Sequence, residues 1–181
     1  MMPMRFHFLE CTDKEKIQHF LNHARVGYLG LAQKEQPYVV PLNYVWWQGK
    51  IYFHGADTGR KIDMIKENPQ VCFTVSEEYG TIANPVPAKT DTAYMSVMAF
   101  GKAHHVTDLT EATESMQQLL NKYVPGYFDT PLSKQHIEKY RSSKGSATSV
   151  ISISVEHLSA KENPLEKENK FYPGRERKMD I

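Results

Sequence analysis

The chain has 181 residues, 40% of them hydrophobic, enough apolar material for one packed domain and too little for two comfortable ones. Its 22 Lys and Arg nearly cancel its 21 Asp and Glu, so the overall charge gives no warrant for binding nucleic acid or an acidic membrane surface. Cys11 and Cys72 lie far apart with no metal spacing, the stretch MMPMRFHFLECTDKEK lacks an apolar signal core, and no apolar run approaches the roughly 18–20 residues of a spanning helix; a soluble, reduced, cytoplasmic protein is expected.

Thr12 and Glu15 have capping-box spacing, and Ile17, Phe20, Leu21 and Ala24 recur at helical intervals, which predicts a first helix from Thr12 to Ala24. VGYLGLA (Val26 to Ala32) and PYVVPLNYVW (Pro37 to Trp46) are β-rich runs joined by the polar QKEQ, as in a hairpin. Pro41 lacks the N–H that a ladder needs, so it should mark an edge, a bulge, or backbone turned toward a ligand. Gln48-Gly49 supplies the next turn and KIYFH (Lys50 to His54) the third strand. A helix opened by Thr58 or Gly59 turns Ile62 and Ile65 inward and ends near Asn68-Pro69.

VCFTVSE (Val71 to Glu77) reads as the fourth strand, with Val71, Phe73 and Val75 on one face. Tyr79 to Asp91, with Gly80, Pro85 and Pro87, is expected to be a long connection. Thr92 to Val106 reads as one long strand that Gly101 could kink or bulge. Asp108 caps a further helix carrying Ala112, Met116 and Leu119 on one side; a shorter helix near Ser133 to Tyr140 precedes the last strand, Ala147 to Val155. The expected organisation is one domain over residues 1–160 and a charged, aperiodic tail over 161–181 that is disordered or lies across a partner. About six strands with short turns and few intervening helices predict a mainly β fold, an antiparallel barrel or sandwich decorated by helices. No Gly-x-Gly-x-x-Gly follows a strand, which argues against a Rossmann-type dinucleotide site.

IYFHGADTGRKIDMI, Ile51 to Ile65, holds the candidate site. Arg60 and Lys61 fall in the first turn of the helix, where the dipole disfavours each cation by roughly 0.3–1 kcal/mol. Either a local acid answers them, with Asp57 capping the helix and both side chains in solvent, or an anion binds. In the second case the small-residue loop GADTG would offer backbone N–H groups and Thr58 a hydroxyl to a phosphate.

The run VVPLNYVWWQGKIYFHGADTGRKIDMIKENPQVCF resembles the core of the flavin-binding split barrels that include pyridoxamine 5'-phosphate oxidase, and most closely the nitroimidazole-resistance proteins. RVGYLGLAQKEQPYVVPLNY before it, YMSVMAFGKAHHV after it and SATSVISISVEHLSAKE at the close extend the likeness over roughly Thr12 to Lys161. The resemblance implies a six-stranded antiparallel FMN-binding split barrel, with the FMN phosphate at Arg60 and Lys61 and His54 and Gly55 beside the phosphate and ribityl chain. Val39, Pro41, Leu42, Asn43 and Tyr44 match backbone that lies against the isoalloxazine ring in relatives, and Ser96 matches a position that hydrogen-bonds the ring or ribityl. It also implies a homodimer with the flavin between subunits.

Two departures stand out. Many nitroimidazole-resistance relatives carry arginine where this chain has Met95, and the oxidase proper has a lysine where this chain has Tyr44; nor does KFYPGRERKMDI match the oxidase's C-terminal segment. Pyridoxamine phosphate is therefore an unexpected substrate.

Elsewhere, His19 and His23 share a helix face and read as surface histidines, and the adjacent His104 and His105 point to opposite faces of a strand. Trp46 and Trp47 are likewise on opposite faces, one for the core and the other for a flavin, a partner or a crevice rim. Cys72 reads as a small buried filler, and no G-x-S-x-G pattern supports hydrolysis. The expected function is an FMN-dependent oxidoreductase that carries electrons from a nicotinamide to a small acceptor, with Tyr44, Trp46 or Trp47 as aromatic walls. The alternative is a non-catalytic flavin- or haem-binding module of the same fold.

Overall fold

In the computed structural model, which describes residues 5–139 and 148–181, the first helix opens later than its capping box predicts. Asp13 is the cap, its Oδ1 accepting from the Lys16 N–H at 3.0 Å, and α1 runs Lys14–His23 with Phe20 and Leu21 buried. A carboxylate caps better than a threonine hydroxyl and also answers the helix dipole, so Asp13 displaces Thr12 from the role.

Seven antiparallel strands form one sheet, against the six expected: β1 Gly27–Gln33, β2 Gln36–Leu42, β3 Val45–Trp47, β4 Lys50–Ala56, β5 Gln70–Ile82, β6 Asp91–His105 and β7 Thr148–Asn163. The extra strand arises because Pro37 to Trp46, read as a single run, divides at Asn43 and Tyr44 into β2 and β3. These two strands are the opposite edges of the sheet, whose order is β2-β1-β5-β6-β7-β4-β3. The step from Leu42 to Val45 spans at most about 11 Å. The sheet must therefore curl until its edges approach, which makes it a barrel. Pro41 sits in the edge strand β2, opposite Tyr28, where a missing N–H leaves the ladder intact.

Alternating side chains from β1, β4, β5, β6 and β7 fill the interior, among them Leu29, Phe53, Phe73, Val97 and Ile153. Helix α2, Arg60–Glu67, adds Ile62, Met64 and Ile65 to the same cluster. Outside the barrel, α3 (Leu109–Tyr123, capped by Asp108) packs Ala112, Met116 and Leu119 over Val45, Tyr52 and Val150. Glu111 fixes it there, accepting from Lys50 Nζ at 2.9 Å and from the Tyr52 hydroxyl at 2.7 Å.

The expected long connection from Tyr79 to Asp91 is mostly ladder. β5 and β6 pair through Gly80–Ala93 to Ile82–Asp91, past a register shift at Glu78 and Gly80, and only residues 83–90 connect them. Hydrogen bonding between the strands supplies there the regularity that the side-chain pattern lacks. β6 shifts register at Phe100 and Gly101, where its glycine predicts a bulge. Helix α4 is Lys134–Lys139; the expected helix end at Tyr140 and strand start at Ala147 lie outside the described residues.

β7 runs on to Asn163, so the expected tail boundary at 161 falls inside a strand. The tail then lies along its own chain: the Phe171 N–H donates to the Thr81 carbonyl and the Ala83 N–H to that of Asn169, both at 2.8 Å, while Arg175 pairs with Asp180 at 2.6 Å. Among the described residues no helix is long and apolar enough to cross a membrane.

Candidate functional site

β4 hands over to α2 through the exposed residues Asp57, Thr58 and Gly59. Gly59 is the N-cap, with φ of 106°, in the region that favours glycine, and no side chain caps the helix. The first N–H groups of α2 are thus open, and the reading in which Asp57 caps them does not hold. Asp63 is the one acid in the first turn, and among the described residues it forms no ion pair with Arg60 or Lys61.

Lys61 is folded inward instead of reaching into solvent. Its Nζ lies 5.3 Å from the centroid of the Phe53 ring, and a Cβ added to Gly55 would come within 2.8 Å of it. Burial pushes the amine below the ordinary lysine range, since the ammonium loses water. Arg60 is exposed and holds its guanidinium 5.6 Å from the Tyr38 ring centroid. His54 is pushed down as well, first by desolvation and then by the Lys61 charge. An uncapped helix start and two cations that have no counter-ion among the described residues make this corner a ready receptor for an anion.

The expected ring-binding segment divides by strand alternation. Val39, 62% exposed, and Pro41 face outward from β2, whereas Tyr38, Val40 and Leu42 turn to the interior cluster. Asn43 is exposed. Tyr44 corrects the expectation of an aromatic wall: its side chain is fully buried, edge-on to Phe73 at 5.1 Å, with its hydroxyl donating to the Leu21 carbonyl at 2.8 Å. Its backbone N–H is also taken, donating to the Tyr123 hydroxyl at 3.1 Å. Trp46 packs against the interior cluster and Trp47 against the α3 cluster, so both are half-buried packing residues on opposite faces.

Arg60, Lys61, Gly55, His54 and Thr58 come together at the α2 corner, and Tyr38 ties β2 to it. Ser96 does not join them within one protomer. It faces outward from β6, three strands from β2, roughly 14 Å across the sheet. Met95, 2% exposed, points into the interior. The outward face of these strands is apolar over a wide area. One row of cross-strand neighbours runs Pro41, Tyr28, Thr74 and Met98; the next runs Val39, Gly30, Cys72 and Phe100.

Sequence reasoning passed over Tyr38 and Phe53, whose rings carry the two cations, and Tyr123, which holds the Tyr44 backbone. Alternation from Val39 could have placed Tyr38 on the inner face; nothing in the sequence pairs residues 44 and 123.

A family model described as pyridoxamine 5'-phosphate oxidase matches residues 13–162. The chain belongs to that family. Among solved structures similar to this pyridoxamine 5'-phosphate oxidase family chain is the flavocytochrome Anf3 from Azotobacter vinelandii, at 24% identity and a TM-score of 0.74 over 92% of this chain and 77% of that one. A putative 5-nitroimidazole antibiotic resistance protein from Bacteroides thetaiotaomicron is 23% identical, with a TM-score of 0.65 over 84% of this chain and 85% of that one. An FAD-binding protein from Mesorhizobium loti is also 23% identical, with a TM-score of 0.57 over 83% and 95%. At these identities the likeness is one of fold. An uncharacterized Rhizobium meliloti protein is 27% identical over 70 residues, 39% of this chain and 46% of its own length, so the match spans less than half of that relative. The barrel is thus the mainly β split barrel of the pyridoxamine 5'-phosphate oxidase family, with seven strands in one sheet.

Proposed function

We propose that this chain is a flavin-dependent oxidoreductase of the nitroimidazole-resistance type. It holds an FMN unit, takes electrons from a soluble donor such as a nicotinamide, and passes them to a small acceptor. The observation that carries this reading is Lys61, a half-buried ammonium with no carboxylate partner among the described residues, at a helix start that no side chain caps. Structural lysines are seldom left so, because a desolvated charge is costly until an opposite charge meets it.

In this reading Arg60 and Lys61 clasp the phosphate, the open N–H groups of α2 and the Thr58 hydroxyl donate to it, and Gly55 leaves the room that a side chain would take. His54, its imidazole held below the ordinary range, stays neutral near pH 7 and serves as a hydrogen-bonding group, not as a third cation. Val39, Pro41, Leu42, Asn43 and the Tyr44 backbone run along the ring. The flavin supplies the redox chemistry when bound, and no side chain need act as an acid or base.

Ser96 takes part only if a second copy brings its own outward face up to the ring. The apolar rows through Met98 and Val39 support such a homodimer, because contiguous apolar patches of this kind mark interfaces. The test is the visible spectrum of freshly purified protein. A flavin doublet bleached by a reduced nicotinamide is expected; a Soret band would instead favour the haem-binding module, and a colourless protein that gains no thermal stability from FMN would remove the flavin reading.

A further inference from the structure

β7 outruns one of its neighbours. β4 pairs with it only from Thr148 to Ser154, and the chain before α1 rejoins the same border further on, where Glu10 bridges Lys161 and the Cys11 N–H donates to the Ala160 carbonyl at 3.0 Å. Between Ser154 and Ala160 this border has no strand beside it among the described residues, and the bulge opposite Gly101 bends β7 there. A cleft of about 370 Å³ lies at the gap, between β7, β3 and the start of α1, within the size range of small-ligand sites.

Trp46, Ile17, Leu158 and Cys11 line the cleft. All four are half-buried and pack against the interior cluster, so the apolar filling of the barrel reaches solvent here. An indole flanked by two aliphatic side chains suits a flat aromatic body, which gains both area burial and ring contact. The mouth is polar. Glu10 there lies 3.8 Å from His7 Nδ1, and Lys16 close by is paired with Glu162. Lys14, exposed on the same mouth, forms no ion pair among the described residues, and Thr12 and Gln18 stand with it. The charge left unmatched at the mouth is therefore positive.

We propose that this cleft binds a small aromatic carboxylate, its ring against Trp46 and its carboxylate at Lys14. A charged group held at the mouth keeps part of its water, so only the apolar body is desolvated. None of the lining residues belongs to the phosphate corner, and the inference stands whether or not the flavin reading does.

The test is calorimetric titration of the purified full chain with 2-naphthoate and, separately, with its neutral analogue 2-naphthylmethanol. Saturable binding of the carboxylate with a Kd below about 1 mM is expected, in line with what a ligand of this size can gain. The neutral analogue, and the carboxylate against Lys14→Gln, should each bind about two- to fivefold more weakly, the range for one exposed ion pair. Trp46→Leu keeps an apolar filler but removes the flat face, and should weaken the carboxylate by about two- to tenfold, with circular dichroism confirming the fold. Arg60→Ala with Lys61→Ala should leave its affinity within about twofold, since those residues lie elsewhere. No saturable binding, equal affinity for the neutral analogue, or a loss that follows Arg60 and Lys61 instead of Lys14 would each overturn the inference.

Discussion

The ammonium of Lys61 occupies the space that a side chain on Gly55 would need, 2.8 Å from the position of its Cβ. Gly55 is thus required by a neighbour rather than by its own backbone, for its φ lies outside the positive region. The relation fixes where Lys61 presents its charge. Gly55→Ala should push the amine outward and weaken flavin binding by on the order of tenfold, with unfolding little changed, because position 55 is only half-buried.

Removing both cations should do more. Two charge-assisted contacts at about 1.5–3 kcal/mol each correspond to roughly 100- to 20,000-fold in FMN affinity. Arg60→Ala with Lys61→Ala should therefore abolish flavin retention through purification, while circular dichroism keeps the wild-type fold. Its unfolding midpoint should hold or rise, since a desolvated, unpaired charge is lost. Undiminished FMN affinity in the double variant would show that the phosphate lies elsewhere.

Lys122 gives a pH signature. Its Nζ lies 3.8 Å from the Tyr44 ring centroid and donates to the Leu21 carbonyl at 3.1 Å, near the C-terminal end of α1. Burial, aided by Arg25 and opposed by Glu77, pushes the amine down to about 8. The unfolded chain then holds more protons than the folded one between about pH 8 and the ordinary lysine value of about 10.5, so stability rises with pH through that window. Relative to Lys122→Met, the wild type should gain on the order of 1 kcal/mol between pH 8 and 10, a figure reduced because the side chain keeps part of its water. Chemical denaturation at stepped pH measures it; parallel curves for the two proteins would refute the assignment.

Tyr44→Phe separates packing from flavin contact. The hydroxyl donates to the Leu21 carbonyl, which Lys122 also serves, so its loss should cost about 1 kcal/mol and no more. The spectrum of bound flavin should not move, because the ring lies in the interior. A shifted flavin band would put that ring back at the site.

A charge on the outward face tests assembly. Met98, 39% exposed, ends one of the apolar rows, and Met98→Glu should convert a dimer to a monomer in sedimentation and lower flavin retention with it. A wild-type protein that sediments as a monomer with flavin bound would dismiss the shared site.

Strand and helix positions were legible where alternation or helical spacing carried them, as in Val71, Phe73 and Val75, which all turn inward on β5. The arrangement of Arg60 and Lys61 at a helix start was legible too, as a conflict with the dipole that asked for an explanation. The division of Pro37 to Trp46 was not, because a single Asn43 followed by the strand-favouring Tyr44 is a weak break in a β-rich run; what splits the run is closure of the sheet, a property of all seven strands. Tyr44 went astray for the same reason. A tyrosine beside a candidate site looks like a wall until Phe73, Leu21 and Tyr123, each distant in sequence, are seen to hold it.

The short passage through Asn43 and Tyr44 also works as a latch. Strands at the two borders of the sheet are held near each other by a tether that has almost no slack, while the phosphate corner depends on Tyr38 from one border and Phe53 from the strand beside the other. Inserting a few glycines between Asn43 and Tyr44 should let the seam gape and pull those two rings apart, so that cofactor is shed at a temperature where most of the β-sheet signal survives.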